Sequence, residues 1–315
     1  MNREIVLAAD LGGTNLRVAA IDCRGRILFQ TRGETPRGES GEEIVRAIVE
    51  AARACRKHCS DYKIKSFLAA VPGTIRDGLI LKTPNLPALN DFQMAAALKD
   101  ELGVKVALEN DANAAAIGEN WIGASKGFAS SICITLGTGV GGGVIIDEKI
   151  LRGADAAAGE IGHICVEPHG VLCTCDARGC VEQYSSATAI VRLAKELKPR
   201  YPKSILNVDA PFTSLEVYRA GNAGDELALE VFRQMGFYLG VAVANLINVL
   251  NPHAIVIGGG AAASWNLFAP HLKETLRERV YSETARKTPI LPAQLGDDAG
   301  IIGAARLAFR LPDLT

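Results

Sequence analysis

Two stretches of this chain share one plan, an apolar strand, a Gly-rich loop and a second strand, and they lie 125 residues apart. Shifting the sequence by 125 without a gap places Leu11, Gly12 and Asp22 on Leu136, Gly137 and Asp147, with residues 19–21 falling on 144–146. These few identities carry little weight as a count. Their value is positional, because each sits in the same part of the unit, as expected if two similar domains each present one loop to a shared cleft. A length of 315 residues fits two domains at roughly 150 residues each.

The rest of the chain alternates strand and helix. Residues 5–9 and 16–21 read as buried strands around Gly12-Gly13, and a turn at Arg24-Gly25 leads to a third at 27–29. Ser40 with Glu43 has the capping-box spacing, and Ile44, Ala47, Ile48, Ala51, Ala54 and Cys55 then keep one apolar helical face. A strand at 67–71 stops at Pro72-Gly73, a helix at 91–102 is closed by Gly103, and a strand at 104–108 runs into a helix reaching about Trp121. After the second Gly unit come helices at 187–197 and 225–250, a strand at 254–257, the Gly258-Gly259-Gly260 turn into another helix, and a last helix at 299–309. This is an α/β order. Residues 237–252 are nearly uncharged but shorter than the ~20 residues a span needs, and Asn245, Asn248 and Asn251 interrupt them, so a buried helix is expected and no membrane partner. No basic, cleavable leader precedes the first strand, so a cytoplasmic location is expected. Lys and Arg total 34 against 35 Asp and Glu, with no basic concentration, so nucleic acid is not an expected partner.

Several segments carry chemistry. Asp10-Leu11-Gly12-Gly13-Thr14-Asn15 puts a carboxylate at a strand end, where it can hold a metal ion, before glycines whose N–H groups can approach a phosphate. No Gly-Lys-Ser/Thr follows and the loop enters a strand, so the expected geometry is a hairpin cradle, with a plain Gly-Gly turn as the alternative. Gly137-Thr138-Gly139 continues into Gly141-Gly142-Gly143, and that density of glycine in a strand pair points to close approach of a ligand to the backbone. Gly258-Gly259-Gly260 is a third, weaker candidate, suited to a nucleotide's adenosine part. Glu109-Asn110-Asp111-Ala112-Asn113 lies at a strand-to-helix joint. There Asn110 or Asp111 can simply cap the helix, or Asp111 can take the proton of an attacking hydroxyl while Asn110 bonds a polyol.

His163, Cys173, Cys175 and Cys180 have the spacing of a closed Cys3His zinc site. Cys165 and His169 are spare ligands, otherwise a core thiol and a surface imidazole. A closed site brackets a braced loop, with Glu160 and Glu182 on either side as candidate sugar-hydroxyl acceptors or ordinary surface acids.

Together these residues resemble the ROK family of repressors, open reading frames and sugar kinases, and its bacterial ATP-dependent glucokinases most of all. The resemblance covers essentially the whole chain. It rests on Asp10 to Asn15 and Gly137-Thr138-Gly139 as phosphate loops, and on Pro72-Gly73 and Thr83-Pro84-Asn85-Leu86-Pro87 as sugar-side loops. Glu109 to Asn113 resembles the catalytic segment, Gly159 to His163 the sugar signature, and Cys173, Cys175 and Cys180 with Glu182 the zinc motif. Asp176 stands where the family usually has Gly.

The resemblance implies an α/β, actin-like (ribonuclease H-like) ATPase fold of two domains with a cleft between them. Residues 1–109 would form the first domain, with the C-terminal helix 299–315 packed back on it, and residues 110–298 the second, carrying the zinc loop. It implies ATP-dependent phosphorylation of a hexose at its 6-hydroxyl, glucose first, with fructose, mannose or an N-acetylated amino sugar as alternatives. Asp111 would be the base. Gly73, Asn85, Asn110, Glu160, His163 and Glu182 would bind sugar. Asp10, Gly12, Gly13, Thr14, Asn15, Gly137, Thr138, Gly139, Gly258, Gly259 and Gly260 would hold ATP and magnesium. His163 would give one ring nitrogen to zinc and the other to sugar, and a homodimer is expected. A sugar-responsive regulator is the rival from another class, but with the first phosphate loop beginning at residue 10 an N-terminal DNA-binding domain is not expected. A zinc-knuckle binding module explains neither the Gly loops nor the charge balance.

Overall fold

The computed structural model describes residues 4–312 apart from Glu39 and Pro84, so Met1, the Pro84 position of the sugar-side loop and the last three residues of the expected 299–315 segment lie outside the described residues. The first half is built of β1 (Glu4–Leu11), β2 (Asn15–Asp22), β3 (Ile27–Glu34), α1 (Gly41–His58), β4 (Lys63–Val71), β5 (Thr74–Arg76), β6 (Leu79–Lys82), α2 (Met94–Leu102), β7 (Lys105–Asn110) and α3 (Asp111–Ile122). The second half holds β8 (Ser131–Leu136), β9 (Val140–Ile146), β10 (Lys149–Ile150), α4 (Glu182–Ser185), α5 (Ala187–Leu197), α6 (Ser214–Asn222), α7 (Glu226–Leu250), β11 (Ala254–Gly258), α8 (Trp265–Arg279), β12 (Ile290–Pro292) and α9 (Ala299–Arg310).

Two five-stranded sheets result, ordered β3-β2-β1-β4-β7 and β10-β9-β8-β11-β12. In each, three strands form an antiparallel meander and two more join parallel to its first strand. The 125-residue echo is therefore a repeat of topology. Both Gly loops span three residues between paired strands, but the pairing differs by one position, since Leu11 faces Leu16 whereas Leu136 faces Val140.

Burial on both faces explains why the inner strands read as continuous apolar runs. Along β1, Ile5, Leu7, Ala9 and Leu11 join a core with Ile44, Ile48 and Val49 of α1 and Met94 and Leu98 of α2, while Val6 and Ala8 point the other way, onto α9. Along β8, Ile132, Ile134 and Leu136 join a core with α5 to α8, and Cys133 faces α3 with Ile117. α7 is the one helix among the described residues long and apolar enough to cross a membrane, and Val231, Phe232, Met235, Leu239 and Val243 place its inner face in that second core. α3 packs on both sheets and on α9, which in turn lies on β1 and β4. The two helices approach so closely that a Cβ on Gly303 would strike the Ala114 carbonyl, and one on Gly118 the Ala299 carbonyl.

Three local expectations are corrected. Ser40 stands at the N-cap of α1 without a side-chain cap bond, and the Glu43 carboxylate lies over Gly38 instead of returning to Ser40, so neither half of the capping box forms. The helix expected from 91 starts at Met94, since Asp91 takes a left-handed conformation (φ 55°) after a short 3-10 turn, Pro87–Leu89. Gly141, Gly142 and Gly143 serve packing. Side chains there would meet Ala112 Cβ, Ile161 and Ala116 Cβ at 2.9, 2.5 and 2.5 Å, so β9 is stripped to backbone to seat α3 and the 161–163 turn.

Candidate active site

The first Gly loop closes through the Gly12 N–H, which donates to the Asn15 carbonyl at 2.8 Å. Thr35, buried just beyond β3, donates from its hydroxyl to the Gly12 carbonyl (2.7 Å) and from its N–H to the Thr14 carbonyl (2.8 Å). Thr14 and Asn15 are exposed at the tip, and Gly13 lies against Asn85, so the first Gly loop meets the 83–87 loop there. Asp10 stands opposite Arg17 across the β1–β2 pair and accepts a hydrogen bond from its guanidinium. Burial pushes the Asp10 carboxyl upward, Arg17 opposes this, and Asp297 and Asp298 add repulsion. The carboxylate rests on the start of α9, 3.2 Å from where a Cβ on Gly300 would stand.

At the end of β7, Asn110 caps α3. Its carbonyl oxygen accepts from the N–H groups of Ala112 and Asn113 (2.9 and 3.1 Å), and its amide donates to the Gly73 carbonyl (3.1 Å). Gly73 has φ 105°, and a side chain there would strike the Lys82 carbonyl. Capping and site-building thus coincide in one residue. Asp111 follows as the first residue of the helix, its Oδ1 accepting from the Ala112 N–H at 2.8 Å. Burial pushes its carboxyl up to about 6, against the pull of that N–H, and the carboxylates of Asp10 and Glu160 push in the same direction as burial. Asp10 and Glu160 therefore lie near enough to Asp111 to repel its charge.

Beneath them lies a support that sequence reasoning missed. Glu109, buried, accepts from Asn113 Nδ2 (3.0 Å) and the Asn110 N–H (3.1 Å) on one oxygen and from Arg152 Nε (3.2 Å) on the other.

The second loop is fastened from outside. Ala187 N–H donates to the Gly137 carbonyl (2.8 Å), Thr188 Oγ1 to the Thr138 carbonyl (2.8 Å), and Glu182 accepts the Val140 N–H (3.0 Å) while its carboxylate covers Gly139. Glu182 is thus half-buried against this loop and is no ordinary surface acid. Gly258 pairs with Thr135 at the sheet end, Gly259 (φ 85°) lies on the Leu136 backbone, and Gly260 is open, so the third Gly run adjoins the second loop.

His163, at the end of the 3-10 turn Ile161–His163, converges with Cys173, Cys175 and Cys180, all four ligand atoms lying within 4.8 Å of one another. His163 Nδ1 is 3.8 Å from Cys173 Sγ and the Cys175 and Cys180 sulfurs are 3.6 Å apart, close to the edge of about 3.8 Å that a tetrahedron with ~2.3 Å zinc–sulfur bonds requires. Cys165 and His169 are not part of the group. Asp176 takes φ 67°, which is how an Asp fills a turn where Gly is usual.

Comparison with known proteins agrees with this geometry. The sequence model of the ROK family matches residues 6–310. A glucokinase of Halalkalibacterium halodurans is 36% identical over 96% of this chain and 94% of its own length, and a glucokinase of Thermotoga maritima is 33% identical over 96% of each. Among solved structures, a ROK family glucokinase from Streptomyces griseus in complex with glucose and AMPPNP superposes with a TM-score of 0.83 at 34% identity, covering 97% of this chain and 99% of that one.

Proposed function

The chain belongs to the ROK family, and from that premise we propose that it transfers the γ-phosphoryl group of ATP to the 6-hydroxyl of glucose, giving glucose 6-phosphate and ADP. The observation that carries this reading is Asp111, a carboxyl raised to about 6 at a helix start beside the first Gly loop. In the mechanism the sugar oxygen attacks the γ-phosphorus, the bond to the β,γ-bridging oxygen breaks, and the hydroxyl proton passes to Asp111. A base poised near neutrality suits that step, and such transfers otherwise need positioning and charge neutralisation.

Gly73, Asn85, Asn110, Glu160, His163 and Glu182 bind and orient the sugar. Gly12, Gly13, Thr14 and Asn15 with Gly137, Thr138 and Gly139 line the phosphates, and Gly258, Gly259 and Gly260 border the adenosine end. The openness of Gly137 and Gly260 supports this assignment. Asp10 would hold magnesium, for which the mutual repulsion of Asp10 and Asp111 is the supporting observation; the ion neutralises phosphate charge when bound. Zinc would bind His163, Cys173, Cys175 and Cys180 as a closed, structural ion that braces the loop flanked by Glu160 and Glu182. We read residues 1–109 with the last helix as one domain and 110–298 as the other, in a cytoplasmic homodimer with no nucleic-acid or membrane partner.

The test is ADP release with Mg-ATP from zinc-loaded protein, comparing glucose, fructose, mannose, N-acetylglucosamine, N-acetylmannosamine and no sugar. Turnover that depends on glucose is expected. Equal turnover with and without sugar, or none with any sugar, contradicts the reading.

A further inference from the structure

A cavity of about 340 Å³ opens beside the far end of α3, where Asn120 and Trp121 line it. Asp111 begins that helix, so at 1.5 Å per residue Asn120 is about 14 Å along the axis from the candidate base. Lys126, Lys149, Arg152, Arg306 and Arg310 line the cavity against a single carboxylate, Glu148. In a chain of net charge -1 this is a local concentration of positive charge. Among the described residues no ion pair engages Lys126, Lys149, Arg306 or Arg310. Burial and the neighbouring Arg310 both weigh against the charge on Arg306, and Glu148 only partly compensates. An anion would relieve that repulsion.

Arg306 is also held in place, and the backbone that carries Lys126 and Lys149 is fixed. The Arg306 guanidinium sits 5.0 Å over the Trp121 ring, which fixes its plane and leaves its N–H edge for a bidentate acceptor. Asn120 Nδ2 donates to the Ser125 and Phe128 carbonyls (3.2 and 2.9 Å), pinning the loop that carries Lys126. Lys149 follows a tight turn in which Asp147 and Glu148 both have positive φ, 50° and 62°. Donors on fixed elements lose little freedom on binding. The volume suits a small metabolite.

We propose that this cavity is an effector site for a small phosphorylated metabolite, a phosphomonoester dianion held by Arg306, Arg310, Lys149 and Lys126, whose occupancy alters sugar binding through Arg152. Arg152 lines both this cavity and a second one of about 450 Å³ beside Asn110, and its guanidinium holds Glu109, which in turn holds Asn110 and Asn113. The coupling to sugar rests on the kinase reading above, whereas the binding site does not.

Calorimetric titration of the full chain with 3-phosphoglycerate, and separately with inorganic phosphate, tests this. A titration with Mg-AMPPNP runs first, so that the nucleotide loops report on their own and are then kept filled. Expected are saturable 3-phosphoglycerate binding with Kd below about 1 mM, in the range of metabolite recognition, and a Kd raised about tenfold or more in Arg306→Gln and in Lys149→Gln/Arg310→Gln. The double variant changes only exposed side chains, so its fold is not at risk. In the wild type, bound ligand should shift the glucose KM at least about twofold, and in the variants it should not. No saturable binding by either probe, or binding that neither variant weakens, overturns the site. Binding that leaves the glucose KM unchanged overturns the effector role.

Discussion

At the scale of single residues, the site turns on Asp111, a buried carboxyl with two other carboxylates near enough to repel its charge. Asp111 gains its proton more readily than a free Asp because burial, Asp10 and Glu160 all disfavour its charge. The folded state therefore binds that proton more tightly than the unfolded chain. Below pH 4 both states hold it and Asp111 contributes nothing; between about 4 and 6 the unfolded chain releases it first, so stability falls as pH rises. Asp111→Asn removes the charge and should raise Tm by on the order of 2–4 °C at pH 8, with no change at pH 4. Thermal unfolding at the two values checks this, and an equal shift at both would show that charge is not the cause. The same titration sets the activity profile: kcat/KM for glucose should rise with pH through an apparent pKa of about 6. A flat profile from pH 5 to 8 would remove the raised carboxyl from the rate. Other residues that shape the site were not legible. Thr35 reaches Gly12 across 23 residues and Arg152 reaches Glu109 across 43, and no local pattern announces partners so distant.

At the scale of elements, the strands and the loops between them were readable because burial on both faces writes an unbroken apolar run and a tight hairpin demands glycine. The reason for a glycine was less readable. Close approach by a ligand and close approach by a helix leave the same residue, which is why Gly141, Gly142 and Gly143 suggested a ligand while α3 and Ile161 occupy the space. Capping spacing was equally ambiguous. Ser40 with Glu43 does not close, whereas Thr213 with Glu216 does, its N–H donating to the Glu216 carboxylate at 2.8 Å, and that signal was in plain sight. Gly143→Ala would press a methyl on Ala116 and should lower stability by about 1–3 kcal/mol, while Gly260→Ala, with nothing within 4 Å, should cost little. Denaturant unfolding of the two variants checks the contrast, and equal losses would refute the packing account. The His-Cys group was legible from spacing alone. Elemental analysis should find about one zinc per chain, and stripping it with a chelator should lower Tm and raise the glucose KM together, since binding energy at such sites is partly folding energy. Metal-free protein with normal Tm and KM would contradict the bracing role.

At the scale of the whole molecule, two sheets of the same strand order share α3 and α9 between them, and those helices touch through Gly118 and Gly303 with almost no side chain in the way. Each sheet offers one three-residue loop, and the base candidate begins the helix that both sheets hold. A nucleotide phosphate chain gripped by the loop of one sheet and the loop of the other would tie the halves together, so one group of residues binds, excludes water and aligns the hydroxyl with the phosphorus. The duplicated topology was anticipated by the 125-residue echo, but the one-position difference in pairing was not, because equal loop lengths do not fix register. The proposed transfer depends most on Asp111 as the acceptor of the sugar proton. The most direct measurement is kcat of Asp111→Asn at saturating glucose and Mg-ATP, with glucose binding measured by calorimetry on the same protein. A fall of about 10²-fold or more, the scale of general-base catalysis, with little change in glucose affinity is the predicted result; near-normal turnover by the folded variant would contradict it.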